Sequence, residues 1–118
     1  MRLTLPFPPA SLSPNRARSL HWAAKARIAR EYREACGWAA RADWGTRPPL
    51  TPPVALTVTF VVGNGRRYDR DNLIAAFKAG QDGLVDAGVI DRDDWQALTV
   101  AYAVERGPKA EVRIEHDG

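Results

Sequence analysis

The run VALTVTFVV, residues 54–62, narrows the possible folds more than any other stretch of this chain. Valine and threonine dominate it, and β-branched side chains suit a pleated, buried surface better than a helix. It is long enough to cross a sheet. The stiff connector GTRPPLTPP (45–53) precedes it and the glycine-rich GNGRRY follows, so neither flank extends the strand. A strand of this kind needs neighbours and a cover, and the rest of the chain offers both.

RLTLP (2–6) alternates as a short strand, and the Pro-rich PFPPASLSP after it suits neither a helix nor a central strand. From Ser19 to Trp44, Leu20, Ala24, Ile28, Tyr32, Ala35, Ala39 and Ala42 recur at spacings of three and four, which predicts a helix with Ser19 as N-cap. A second helix is expected from Asp71 or Asn72 to Asp86 or Ala87, with Gly88 as its stop. Leu73, Ala76, Phe77, Gly80, Leu84 and Ala87 form its apolar face. ALTVAYAVER (97–106) and KAEVRIEH (109–116), joined at Gly107-Pro108, read as a β-hairpin. The order β-α-β-α-β-β combines a crossover with a hairpin. It predicts an α+β domain over 1–118: a mixed sheet of about four strands packed against two main helices.

A length of 118 residues suits one core. No apolar run approaches the roughly 20 residues of a membrane helix. MRLTLPFPPAS has no signal-peptide apolar region, and the single Cys36 allows no internal disulfide, so a reducing, cytoplasmic setting is expected. Net charge is +3 but unevenly spread: residues 1–68 carry eleven Lys/Arg against three Asp/Glu, and residues 69–118 carry six against eleven. A basic half suggests a polyanionic partner.

Between the halves lies RRYDRDN (66–72), where Asp69 and Asp71 sit among Arg66, Arg67 and Arg70. In extended backbone ahead of the second helix the two carboxylates would share one side, about 7 Å apart between Cα atoms. Such a pair suits magnesium, a hard cation held by one or two carboxylates, waters and phosphate oxygens. The arginines suit those phosphates. A third carboxylate is expected from Asp93-Asp94, and Lys78 lies two helical turns below Asp71 on the same face. Each feature also has a purely structural reading. Asp71 could be an N-cap, Lys78 and Asp82 an i,i+4 ion pair, IDRDD a polar turn, and the arginines of the first helix an ordinary exposed face. His21 and His116 have no zinc spacing, and no phosphate-loop, nucleophile-elbow or dinucleotide motif occurs.

DRDNLIAAFKAGQDGLVDAGVIDRDDWQ, together with the N-terminal PFPPASLSPNRARSLHWAAKARIAREYREA, resembles the RusA-like Holliday junction resolvases, small endodeoxyribonucleases common in phages and prophages. The shared pattern is a Pro-Pro and Asn start, D-x-D-N-L, a helix with a lysine, and a later D-D pair. It spans roughly residues 3–116. The resemblance implies a magnesium site (manganese as substitute) at Asp69, Asp71 and Asp94, with Asp93 and Asp91 also open because GVIDRDD is one residue longer than the usual spacing. The family's catalytic lysine falls at Ala75, so Lys78 would act from one turn further along. Asn15, Arg16, Arg18, Lys25, Arg66, Arg67 and Arg70 would hold DNA. The implied activity is paired symmetric nicking of four-way junctions in recombination and repair. It would be carried out by a homodimer in the cytoplasm of a bacterial or phage-infected cell, without membrane attachment or a nucleotide cofactor. The exposed face of the final hairpin, Trp38 and Trp44 are candidate dimer surfaces. A non-catalytic branched-DNA-binding module and a nuclease for flaps or forks are the alternatives.

Overall fold

The computed structural model describes residues 1–14, 21–63, 68–94 and 96–116. In chain order these form β1 (Arg2–Leu5), a short 3-10 turn (Ala10–Leu12), α1 (Trp22–Trp44), β2 (Val54–Val62), α2 (Arg70–Asp86), β3 (Leu98–Arg106) and β4 (Glu111–His116). The four strands make one mixed sheet in the order β1-β4-β2-β3. The expected α+β architecture and element order are both present.

β2 occupies the interior because its inner face is wholly apolar and its outer face also buries Thr59 and Val61. Val54, Leu56, Val58, Phe60 and Val62 alternate onto the helix-covered side and are all buried. Phe60 meets Phe77 of α2 edge-on at 5.7 Å and stacks on Tyr102 at 6.1 Å. Phe77 in turn meets Tyr32 of α1 edge-on at 6.5 Å. These rings join sheet and helices in one core, where burying each large apolar side chain contributes about 1.5–3 kcal/mol. On the opposite face Thr59 and Val61 are buried too. Arg113 lies on that face, ion-paired to Glu105 at 3.2 Å and Glu111 at 3.5 Å.

The hairpin expected at Gly107-Pro108 does not form. β3 runs parallel to β2, β4 runs antiparallel to β2, and β2 lies between them. A hairpin would have left one side of β2 open, whereas inserting β2 gives this most apolar strand a partner on each side. The Gly107 segment instead passes across the open face at the end of β2. Its amide donates to the Val62 carbonyl at 3.0 Å, and a Cβ at Gly107 would sit 2.6 Å from Val61 Cγ1. Glycine is needed there for close approach.

Among the described residues α1 begins at Trp22, and its N-cap is His21, whose ring accepts from the Ala23 amide at 3.2 Å. The expected cap, Ser19, lies outside the described residues. Trp44, considered above as a dimer surface, is buried and donates from Nε1 to the Arg47 carbonyl at 3.1 Å. It belongs to the core of the monomer.

The two helices cross where side chains vanish. At Gly83 an added Cβ would lie 2.8 Å from the Arg33 carbonyl oxygen and 2.9 Å from the Gly37 nitrogen, both backbone atoms of α1. Beside the crossing, Arg33 grips Asp86 with two bonds of 2.7 and 2.8 Å, and Arg41 donates to the Asp86 carbonyl at 2.8 Å. The Arg33 guanidinium holds the Asp86 carboxyl below its ordinary value. Gly83→Ala should force the helices apart and destabilise the domain by about 1–3 kcal/mol, measured as a lower thermal midpoint. An unchanged midpoint would show that the crossing tolerates a methyl group.

Candidate acidic site on the second helix

Asp69 builds the start of α2. Its backbone is extended (φ −89°, ψ 121°), and its Oδ1 accepts from the amides of Asp71 at 2.9 Å and Asn72 at 3.4 Å. Aspartate suits this place because its oxygen satisfies amides that have no partner within the helix. The helix therefore begins at Arg70, one or two residues earlier than expected. Asp69 and Asp71 are a cap and a first-turn residue, not two positions of an extended strand, and it is Asp69 that caps. Both are exposed, as is Arg70. The positive end of the helix dipole favours both acids.

Lys78 lies seven residues beyond Asp71. That separation is about 10 Å along the axis and nearly two whole turns, so both residues fall on one face. The Lys78 ammonium donates to Asp82 Oδ1 at 3.0 Å and to Asp93 Oδ2 at 2.8 Å. Asp93 reaches this face because the preceding residues are anchored. Val89 and Ile90 are fully buried, the Leu50 amide donates to the Val89 carbonyl at 2.9 Å, and Leu50 bridges Ile90. Hydrogen bonding to Lys78 lowers the Asp93 pKa, and the same bond raises that of Lys78.

Asp94 plays a different part. Its Oδ1 accepts from the amides of Gln96 at 3.0 Å and Ala97 at 2.9 Å, and its Oδ2 is 3.1 Å from Arg92 Nε. It shapes the turn that leads into β3. Of the doublet, Asp93 faces α2 and Asp94 faces its own turn. Asp82 was legible only as an i,i+4 partner of Lys78; that it also shares this lysine with Asp93 follows from the tertiary fold alone.

A groove of about 550 Å³ runs beside these residues between α1, α2 and the segment that carries Leu12 and Pro14. Leu12, Ala29, Ala75 and Ala79 line it together with Lys25 and Lys78. Lys25, a candidate DNA-binding residue, thus lies beside the acidic face, and Ala75 and Lys78 border the same space. The remaining arginines of α1 are partly engaged within the fold. Arg27 lies 3.8 Å from Glu31, Arg33 holds Asp86, and Arg41 sits over the exposed Trp38 ring at 5.2 Å. Asn15, Arg16, Arg18, Arg66 and Arg67 lie outside the described residues.

Asp69 and Asp71 offer hard oxygen donors at one helix terminus, and both bonds made by the cap use Oδ1. That chemistry suits magnesium with retained waters. The expected triad is not gathered: among the described residues no three His, Cys, Asp or Glu form a group able to hold a metal. Asp93 stays with Lys78, and Asp94 stays with its turn.

The Lys78–Asp93 contact carries an acid signature. Because the Asp93 pKa is depressed in the fold, its stabilisation is present above the ordinary carboxylate pKa of about 3.9 and is lost as pH falls through the folded value. Lys78→Met should return Asp93 to ordinary titration, seen by carboxyl NMR, and flatten the acid limb of stability. The cost at neutral pH should be about 1 kcal/mol or less, since the pair is partly exposed. An unmoved Asp93 titration would show that the lysine does not control it.

No family model matches the chain. A protein of uncharacterised function from Xylella fastidiosa (strain Temecula1 / ATCC 700964) is 40% identical over 95 residues, covering 76% of this chain and 60% of that protein. The chain thus spans less than two thirds of the length of the curated relative it matches.

Proposed function

We propose that the chain is a magnesium-dependent endodeoxyribonuclease for branched DNA, with the four-way junction as its principal substrate and a homodimer as its working form. The observation that carries this reading is the Lys78–Asp93 contact, which draws an acid from a distant loop onto the face of α2 that begins at Asp71. Acids, a lysine and a groove lined by Lys25 then share one surface. A bound magnesium, or manganese in its place, would supply an activated water and stabilise charge on the phosphate. Asp69 and Asp71 would hold it. Lys25 and Arg70 would position flanking phosphates, with Asn15, Arg16, Arg18, Arg66 and Arg67 extending that contact. Lys78 lies one turn beyond Ala75, on the acidic face, where it could meet a scissile phosphate. Residence in the cytoplasm of a bacterial or phage-infected cell fits this role.

A second reading is favoured by a specific observation. Asp82 and Asp93 are both ion-paired with the one Lys78, and Asp94 is engaged in a turn. A scaffold with its acids so occupied could bind branched DNA without cutting it.

One assay separates the two. A labelled four-way junction is incubated with the protein, with and without magnesium, beside Asp71→Asn. Cleavage predicts symmetric nicks that require the metal and fall at least 100-fold in the variant, while junction binding persists. Binding without nicks under magnesium and manganese alike would establish the module, and equal cutting of flaps or linear duplex would point to a less selective nuclease. In either case Lys25→Ala should weaken binding and reduce the salt dependence by about one ion. An unaltered salt slope would remove Lys25 from the contact.

A further inference from the structure

β3 is nine residues long and forms one edge of the sheet. It pairs with β2 continuously, without a bulge, from Leu98 to Arg106. The direction of its outer hydrogen-bonding groups can be worked out. The Ala97 carbonyl accepts from the Val54 amide, and the Gly107 amide donates to the Val62 carbonyl. Odd-numbered positions therefore face β2 at both ends of the strand. The amide and carbonyl of a strand residue point the same way and alternate along the chain. Those of Val100, Tyr102 and Val104 thus point outward. Among the described residues no strand lies beyond them.

The opposite edge is handled differently. β1 has only four residues, and Asp43 of α1 accepts from the Thr4 amide at 3.3 Å. Proteins guard long open edges with lysine, proline, bulges or a covering element. From Thr99 to Ala103 the β3 edge has neither charge nor proline, and Val104 is 40% exposed.

Its sequence is also symmetric. Residues 100–104 read Val-Ala-Tyr-Ala-Val, the same in both directions. Antiparallel pairing of two such strands about Tyr102 sets Val100 against Val104 of the other copy, Ala101 against Ala103, and Tyr102 against Tyr102. The valines and tyrosines lie on the helix-covered face and the alanines on the open face, so like meets like throughout. Glu105 falls opposite Thr99, and no like charges face each other. Outward amides and carbonyls at even positions meet their counterparts over the whole strand. Tyr102 is well held for such a centre: its ring stacks on Phe60, and its hydroxyl donates to Gln81 at 3.2 Å.

We propose that the outer edge of β3 is a self-pairing interface, at which a second copy of this chain adds its own β3 antiparallel about a two-fold axis at Tyr102. The product is a continuous eight-stranded sheet with both copies of α2 on one side. An isologous contact of this kind closes as a dimer and leaves only the short, covered β1 edges free. It would provide the paired arrangement that the nuclease reading calls for, yet it rests on the strand alone and is tested without DNA.

Sedimentation velocity over a micromolar concentration series should give twice the 13.0 kDa chain mass. Val104→Lys and Val104→Pro each change an outward position without removing a bond to β2. Both should raise the dimer dissociation constant at least tenfold with unchanged circular dichroism. Trp38→Ala, which alters a large exposed apolar side chain on α1, should leave the dimer intact. Register is read separately: oxidising a mixture of Ala101→Cys and Ala103→Cys chains should give the mixed disulfide in preference to either homodimer, because close non-hydrogen-bonded pairs face each other there. A monomer at every concentration would overturn the proposal. So would a dimer that survives both Val104 variants, or cross-linking with no preference for the mixed pair.

Discussion

The structure depends on burying β2 from both sides. Its inner face carries Phe60 and four aliphatic residues against the helices, and its outer face carries Thr59 and Val61 under Arg113 and the Gly107 connection. No edge position could bury such a strand. Once β2 is central, β4 must take one side and β3 the other, and the link between them must cross the sheet. The α2 crossover then makes β3 parallel to β2 and lays the acidic helix over the core. Phe77 completes the arrangement by joining Phe60 to Tyr32.

The site inherits its geometry from that placement. The connection from α2 to β3 is tied down at Val89 and Ile90 against Leu50, which brings Asp93 back onto the helix it has just left. A lysine midway along α2 meets it there. The result is a chain of alternating charge, Asp82–Lys78–Asp93, on the face that begins with Asp71. These partners are partly exposed, so their mutual attraction is modest in stability. Its larger effect is positional, since one ammonium determines where two carboxylates point. The cap made by Asp69 does the same at the helix start by orienting an otherwise mobile side chain.

The helix crossing shows the opposite strategy. Gly37 and Gly83 bring α1 and α2 into backbone contact, and Arg33 and Arg41 close around the end of α2 at Asp86. Arginines that read in the sequence as a free basic face thus serve partly as internal clasps. Lys25, at the other end of α1, borders the groove beside Ala75 and Lys78. One helix therefore contributes to rigidity at one end and to the candidate site at the other.

Local features read directly. The valine-rich pattern of 54–62, the three-and-four spacing of α1 and the apolar face of α2 each identify their element, because backbone preference and side-chain periodicity act over a few residues. The acids around position 70 and Lys78 are visible for the same reason. What could not be read is whatever depends on partners distant in sequence. Gly107-Pro108 has the composition of a hairpin turn, yet the apolar character of β2 outweighs that local preference. Asp69 rather than Asp71 caps because the helix starts at Arg70, two residues before the start that an Asp71 cap would give, a choice that turn composition leaves open. Asp93 rather than Asp94 meets α2 because the anchoring of Ile90 sets which way each carboxylate turns. The elements, their order and the acidic and basic residue types are legible in the chain alone, since they rest on short-range sterics and hydrophobic period. Strand order and the pairing of charges emerge only on folding, because both depend on burying the most apolar strand from two sides at once.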